Sequence, residues 1–141
     1  MIALDTNFIV ALLVNSHANH KSVLKWFNQQ SDTFATTHIN VGEVLRLLSH
    51  PKVFAKPLKL SVAVALVNTF IEDFGLELLV ESEDWLSDLG ELCTSISSLK
   101  GSEVFDARIA LCLQHHGVSK LATFDRDFAK YSFLKVFSLI S

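Results

Sequence analysis

Cysteine, proline, glycine and arginine are all scarce in this chain of 141 residues, and the shortages narrow what it can be. The two cysteines, Cys93 and Cys112, stand alone without a CxxC spacing. They read as reduced core thiols of a cytoplasmic protein, not as part of a disulfide framework or a zinc site. Both prolines bracket one short connector, Pro51 to Pro57, which is too brief to divide domains. There are no internal repeats and no low-complexity segments. No apolar run approaches the roughly 20 residues that span a bilayer. The opening Met1-Ile2-Ala3-Leu4-Asp5 has no basic stretch and meets an acid at once, so no signal peptide is expected. Arginine occurs only at positions 46, 108 and 126, and the formal net charge is −3. Nucleic-acid binders commonly carry a basic patch. An enzyme that holds nucleic acid through metal ions can nevertheless be acidic, because the ions supply positive charge locally. Charge alone does not decide.

What is present is apolar and ordered. Half the residues are hydrophobic and mean hydropathy is +0.36, which excludes disorder and supplies a core for one domain over residues 1–141. Ile2-Ala3-Leu4 suits a buried first strand, and Thr6 and Asn7 offer capping oxygens for a helix through Leu13. His17 to Gln30 has helical spacing, with Val23, Leu24, Trp26 and Phe27 on its apolar face. Phe34 to Thr37 is a second strand, and His38 to Leu48 an apolar helix. Leu60 to Phe74 follows as a long helix whose stripe steps through Val62, Ala65, Leu66, Thr69, Phe70 and Asp73, ended by Gly75. Leu76 to Val80 is a third strand, Ser82-Glu83-Asp84-Trp85 opens a helix, and Glu103 begins another that stops at Gly117. Lys120 to Thr123 and Leu134 to Ile140 are the last strands, with a helical turn from Asp127 to Tyr131 between them. Strands alternating with helices predict a three-layer α/β domain with a mainly parallel sheet of about five strands.

Four acids matter in that frame. Asp5 ends the first strand and Asp125 follows the fourth, at the edge where open α/β sheets bind ligands. Glu43 and Asp106 fall on or beside apolar helix faces, where an unpaired charge costs several kcal/mol. Glu43 has Arg46 at i+3 as an ordinary partner, or else it reaches a cation. Carboxylates brought together repel unless a proton or cation lies between them. Oxygen ligands without histidine or cysteine favour Mg²⁺ or Mn²⁺ over zinc. Elsewhere the polar residues read as surface. His17 and His20 lack further ligands at fitting spacing, His115 and His116 suit a helix C-terminus, and Glu83, Asp84, Asp88 and Glu91 make a solvated face.

The chain resembles the PIN-domain family, and within it the VapC-type toxin ribonucleases of toxin–antitoxin pairs. The likeness runs along essentially the whole sequence: Leu4-Asp5-Thr6-Asn7, Glu43-Val44-Leu45-Arg46, His50-Pro51-Lys52-Val53-Phe54, Pro57-Leu58, Asp106-Ala107-Arg108-Ile109-Ala110, Gly117, and Leu121 through Phe128. Each piece is weak alone; their order and spacing carry the signal. The resemblance implies a catalytic quartet of Asp5, Glu43, Asp106 and Asp125 that binds Mg²⁺ or Mn²⁺, with Asn7 and Thr123 as polar supports. It implies an endoribonuclease that cleaves RNA phosphodiester bonds with metal-activated water. It also implies a homodimer and a cognate antitoxin whose tail covers the site. Asp127 is read as a surface or supporting residue. Leu111-Cys112 departs from the small residue common after Ala110, a packing difference only. Lys52, Lys56, Lys59, Arg108 and Arg126 are candidates for phosphate contacts.

Two rivals remain. A phosphoryl-accepting signalling domain also gathers acids around Mg²⁺, but it needs an Asp at the end of a central third strand, where this chain has Leu79-Val80. A PIN-like scaffold without chemistry, holding a partner protein or RNA, is the other.

Overall fold

The computed structural model of the chain describes residues 1–51 and 55–138. Lys52, Val53, Phe54 and the end of the expected fifth strand at Leu139-Ile140 lie outside the described residues. Among the described residues there are five strands: β1 (Ile2–Leu4), β2 (Phe34–Thr37), β3 (Glu77–Leu79), β4 (Lys120–Ala122) and β5 (Lys135–Phe137). Six α-helices accompany them: α1 (Thr6–Leu13), α2 (His20–Gln29), α3 (His38–Leu48), α4 (Leu60–Phe74), α5 (Trp85–Ser95) and α6 (Val104–His115). The strand order is β3-β2-β1-β4-β5 and every pairing is parallel.

The chain steps from β1 outward to β3, then crosses back to β4 on β1's other side. That reversal creates a switch point between the carboxyl ends of β1 and β4. It also disposes of the signalling-domain rival, because β3 is an outer strand.

Alternation along each strand divides the core between the two faces. Ile2 and Leu4 pack with Phe8, Val23, Phe27, Val44 and Val67 on one side, while Ala3, Ala35 and Leu121 meet Ile109, Leu113 and Tyr131 on the other. Phe27 stacks on Phe34 at 4.4 Å between ring centroids, and Phe8 meets Phe124 at 4.5 Å, so aromatic pairs close the first face.

Gly75 ends α4 at φ +60, a left-handed turn that residues with a Cβ rarely adopt. The buried stripe of α4 is Ala63, Val67 and Phe70, with Val62, Ala65 and Thr69 exposed. This corrects the expected stripe. Leu60 to Val67 is apolar nearly all round, so its pattern does not say which face packs. Cys112 is buried as expected, whereas Cys93 is exposed on α5, a helix with no fully buried residue. No helix among the described residues is long and apolar enough to cross a membrane.

Candidate functional site

Parallel strands deliver Asp5, Thr37, Glu81 and Thr123 to one edge of the sheet, just past the ends of β1, β2, β3 and β4. The backbone N–H of Asp5 donates to Ala122 O at 2.9 Å, locking the end of β1 against β4. Asp5 is only 5% exposed. It is also the N-cap of α1, accepting from the Thr6 N–H at 2.8 Å. The ordinary capping role is therefore present, in a carboxylate that also lies at the strand-end edge.

Two neutral side chains hold it as well. Thr123 Oγ1 donates to Asp5 Oδ2 at 2.5 Å, and Asn40 Nδ2 donates to Asp5 Oδ1 at 2.9 Å. Asn40 is buried, with Thr37 Oγ1 donating to its Oδ1 at 2.8 Å. The second Asn40 amide proton goes to Thr6 Oγ1 at 3.0 Å, and Thr6 Oγ1 in turn donates to Glu43 Oε2 at 3.1 Å. One network thus joins Thr37, Asn40, Thr6, Glu43, Asp5 and Thr123. Asn7 extends it, donating to Thr123 Oγ1 at 3.4 Å and accepting from the Phe124 N–H at 3.2 Å.

Asp125 follows β4 and caps a short 3-10 turn, Arg126–Lys130, accepting from the Asp127 N–H at 2.9 Å. Its own N–H donates to Thr123 Oγ1 at 3.0 Å. The Lys130–Glu103 ion pair ties that turn to the residue just before α6, where Asp106 stands in the first turn. Asp127 is exposed.

Electrostatics show how the four acids are linked. Burial pushes the Asp5 carboxyl up to about 6, with the Glu43 charge adding to it and the Thr123 bond opposing it. Asp106 is also pushed up to about 6, by burial first and then by the charges of Asp5, Asp125, Asp127 and Glu103. Glu43 is raised by burial and by Asp106, against its bond from Thr6. Arg46 acts on Glu43 through its charge alone, and no ion pair joins them among the described residues. The local i+3 pairing is corrected to a hydrogen bond from Thr6 on another helix. Glu43 and Asp106 are each partly exposed, at the margin of their stripes.

Glu43 and Asp106 line an open cleft of about 760 Å³ between α3 and α6, together with His38, Arg46, Phe105 and Arg108. Every acid here offers oxygen donors, the chemistry that Mg²⁺ and Mn²⁺ take. Among the described residues, no three of His, Cys, Asp and Glu gather tightly enough to close on one ion.

The phosphate candidates separate. Arg108 is committed to Glu81 through Nε at 2.9 Å and Nη2 at 2.6 Å, so it is no free phosphate ligand. Lys56 lines an apolar cavity with Leu13, Leu48 and Leu66, away from the acids. Lys59 caps α4, Arg126 is exposed beside Asp125, and Lys52 lies outside the described residues. His17 accepts from the Asn19 N–H, and His20 bonds to Ala11 O.

Sequence reasoning passed over Asn40 and Glu81. An asparagine in an apolar helix stripe three residues after a threonine cap was the signal for the first; nothing local marks the second. Tyr131 was also missed. It is 1% exposed, its hydroxyl has no partner among the described residues, and burial with the Asp106 charge pushes it up to about 12.

The pattern that defines the PIN domain matches residues 2–134. Ribonuclease VapC24 of Mycobacterium tuberculosis is 26% identical over 145 aligned residues, covering 100% of this chain and 98% of that protein. Ribonuclease VapC31 of the same organism is 26% identical over 94% of each chain. Among solved structures, Mycobacterium tuberculosis VapC20, a Sarcin-Ricin loop cleaving toxin, superposes with a TM-score of 0.73 at 20% identity, covering 95% of this chain and 97% of its own. VapBC2 from Rickettsia felis, bound to a DNA fragment from its promoter, gives 0.68 at 20% identity over 98% of each chain. These likenesses establish the fold.

Proposed function

The chain belongs to the PIN-domain family, and on that footing we propose that it is a Mg²⁺- or Mn²⁺-dependent endoribonuclease, the toxin of a toxin–antitoxin pair. The observation that carries the reading is that carboxylates from four separate segments stand close enough at the β1/β4 switch point for their charges to act on one another, adding to the burial that chiefly raises Asp5, Glu43 and Asp106. Groups so arranged await positive charge.

In this reading Asp5, Glu43, Asp106 and Asp125 hold the cation. When bound, it supplies the charge that activates water and steadies the leaving oxygen in phosphodiester cleavage. The neutral network does the rest. Thr123 and Asn40 fix both oxygens of Asp5, and Thr6 aims Glu43 toward the same mouth. Glu43 and Asp106, carried on facing helices, would be the ligands from the α3 and α6 sides of the cleft. The names of the relatives support RNA as substrate and an antitoxin as partner. Exposed Leu60, Val62, Val64 and Phe74 on α4 support a homodimer.

The test is cleavage of purified tRNA and ribosomal RNA with Mn²⁺, beside calorimetric Mn²⁺ titration, for wild type, Asp5→Asn and Glu43→Gln. Cleavage and binding lost together in folded variants are expected. Cleavage that persists in EDTA or in both variants would sink the metal assignment. The open spacing of the acids favours one second reading, a scaffold that binds a partner or RNA and cuts nothing. A protein that binds its partner but neither Mn²⁺ nor cleaves RNA is that scaffold.

A further inference from the structure

Phe105 is 55% exposed, and it immediately precedes Asp106 on the wall of the acidic cleft. It does not hang loose. The Arg108 guanidinium lies 4.2 Å from the Trp85 ring centroid and 5.6 Å from that of Phe105. Arg108 is itself gripped by Glu81 through two nitrogens, and Glu81 also bonds His38 at 3.1 Å. Residues from α5 and the segment after β3 thus fix Arg108 on α6, and Arg108 in turn stands beside one aromatic ring that stays open to solvent. What sets this ring apart is its place: it lines the cleft that holds Glu43 and Asp106, with a fixed cation at its side, so a planar ligand can cover it.

The other wall of the cleft supplies Arg46, exposed and in no ion pair among the described residues. Aromatic faces with a neighbouring cation are how proteins hold unpaired nucleotides: bases stack, phosphates meet the charge. A base still paired in a helix has both faces covered by its neighbours, so only an unstacked one can cover Phe105. The base is the uncharged end of a nucleotide and suits a wall made by Phe105 and Ile39. The acids one residue away repel phosphate until a cation sits among them, which sets the order of base on the ring and phosphate toward Arg46.

We propose that Phe105 is the stacking platform for one unpaired base of single-stranded RNA next to the scissile phosphate, with Arg46 contacting a neighbouring phosphate and Glu81, Arg108 and Trp85 acting as positioning residues for the ring. The proposal rests on the endoribonuclease reading above and adds how the strand is gripped.

The experiment is fluorescence anisotropy with a labelled 12-nucleotide RNA of unpaired mixed sequence, using the otherwise wild-type protein as parent with Ca²⁺ in place of Mn²⁺ so that a cation is present and the RNA stays intact. Phe105→Ala is expected to weaken binding roughly 5- to 150-fold, the range for one base–aromatic stack. Phe105→Trp should retain affinity, and Phe105→Leu, of similar bulk without a π face, should behave like alanine. An abasic nucleotide walked along the RNA should find one position that weakens the parent protein yet leaves Phe105→Ala unaffected. Equal binding by parent and Phe105→Ala, while wild type still cleaves RNA, overturns the proposal alone. Wild type that neither binds nor cleaves RNA overturns both readings. If Phe105→Ala spares RNA but loses the partner protein, the ring is a protein-docking residue and the proposal is wrong.

Discussion

Thr123 and Asp5, 118 residues apart in sequence, meet at 2.5 Å where β4 and β1 end side by side. The hydroxyl donates to a buried carboxylate and accepts from the Asp125 N–H. A single oxygen therefore ties two acids from opposite ends of the chain, and a hydroxyl can do both only where two parallel strands finish in register. The pairing of Leu4 with Ala122 provides that register.

Thr123→Val keeps the branched shape and removes this bond. Hydrogen bonds to charged groups contribute about 1.5–3 kcal/mol, so unfolding free energy at pH 7.5 should fall by about that much. Because the Thr123 bond holds Asp5 down against burial, the variant's Asp5 should titrate still higher than about 6. The acid limb of the cleavage profile should then move to higher pH, and Thr123→Ser should restore it. Denaturant melts and a pH–rate profile check both halves. An unshifted limb would show that Asp5 does not set it.

Asp106→Asn tests burial and repulsion together, burial being the larger. The folded protein raises Asp106 to about 6 from an ordinary 3.8, so it binds that proton more tightly than the unfolded chain does. Stability is therefore lost as pH rises from about 4 through 6, and the deficit is complete above it. Asparagine mimics the protonated form. In EDTA at pH 7.5 the variant should melt roughly 2–4 °C above wild type, a small gain because the group is partly solvated. At pH 5 the gap should shrink. An equal or lower midpoint at pH 7.5 means that neither burial nor repulsion strains the Asp106 carboxylate.

Much of this was legible because strand ends and helix caps are local events. Ile2 to Leu4, Phe34 to Thr37 and Lys120 to Ala122 are short apolar runs closed by polar residues, and α3 and α4 keep the bounds their patterns predict. The strand order that sets Asp5 and Asp125 on either side of Thr123 is the doubly wound one expected of alternating strands and helices. What failed was the choice among equals. Leu60 to Val67 offers apolar residues on every face, and only the sheet selects Ala63 and Val67. Arg46 is the nearest cation to Glu43 in sequence, yet Thr6, 37 residues away, makes the bond. Glu81 follows a strand and precedes a helix like any surface acid. Its partner Arg108 comes 27 residues later and is visible only in three dimensions.

Glu81→Gln tests that last partnership, and its pH dependence runs opposite to that of Asp106. The Glu81 side chain is 6% exposed and Arg108 holds it below the usual glutamate range. A carboxyl lowered on folding stabilises the protein above its unfolded value, near 4.5, and that contribution is lost as pH falls through the lower folded value. Glutamine can still accept one bond from Arg108 but not a charged pair, so the variant should lose about 1–2 kcal/mol at pH 7. On acidification the two proteins should converge as wild-type Glu81 takes up its proton. Urea melts at pH 7 and in mild acid measure the gap at each end. A gap that stays constant would assign the loss to packing around Trp85 and Phe105, with no part for the charge.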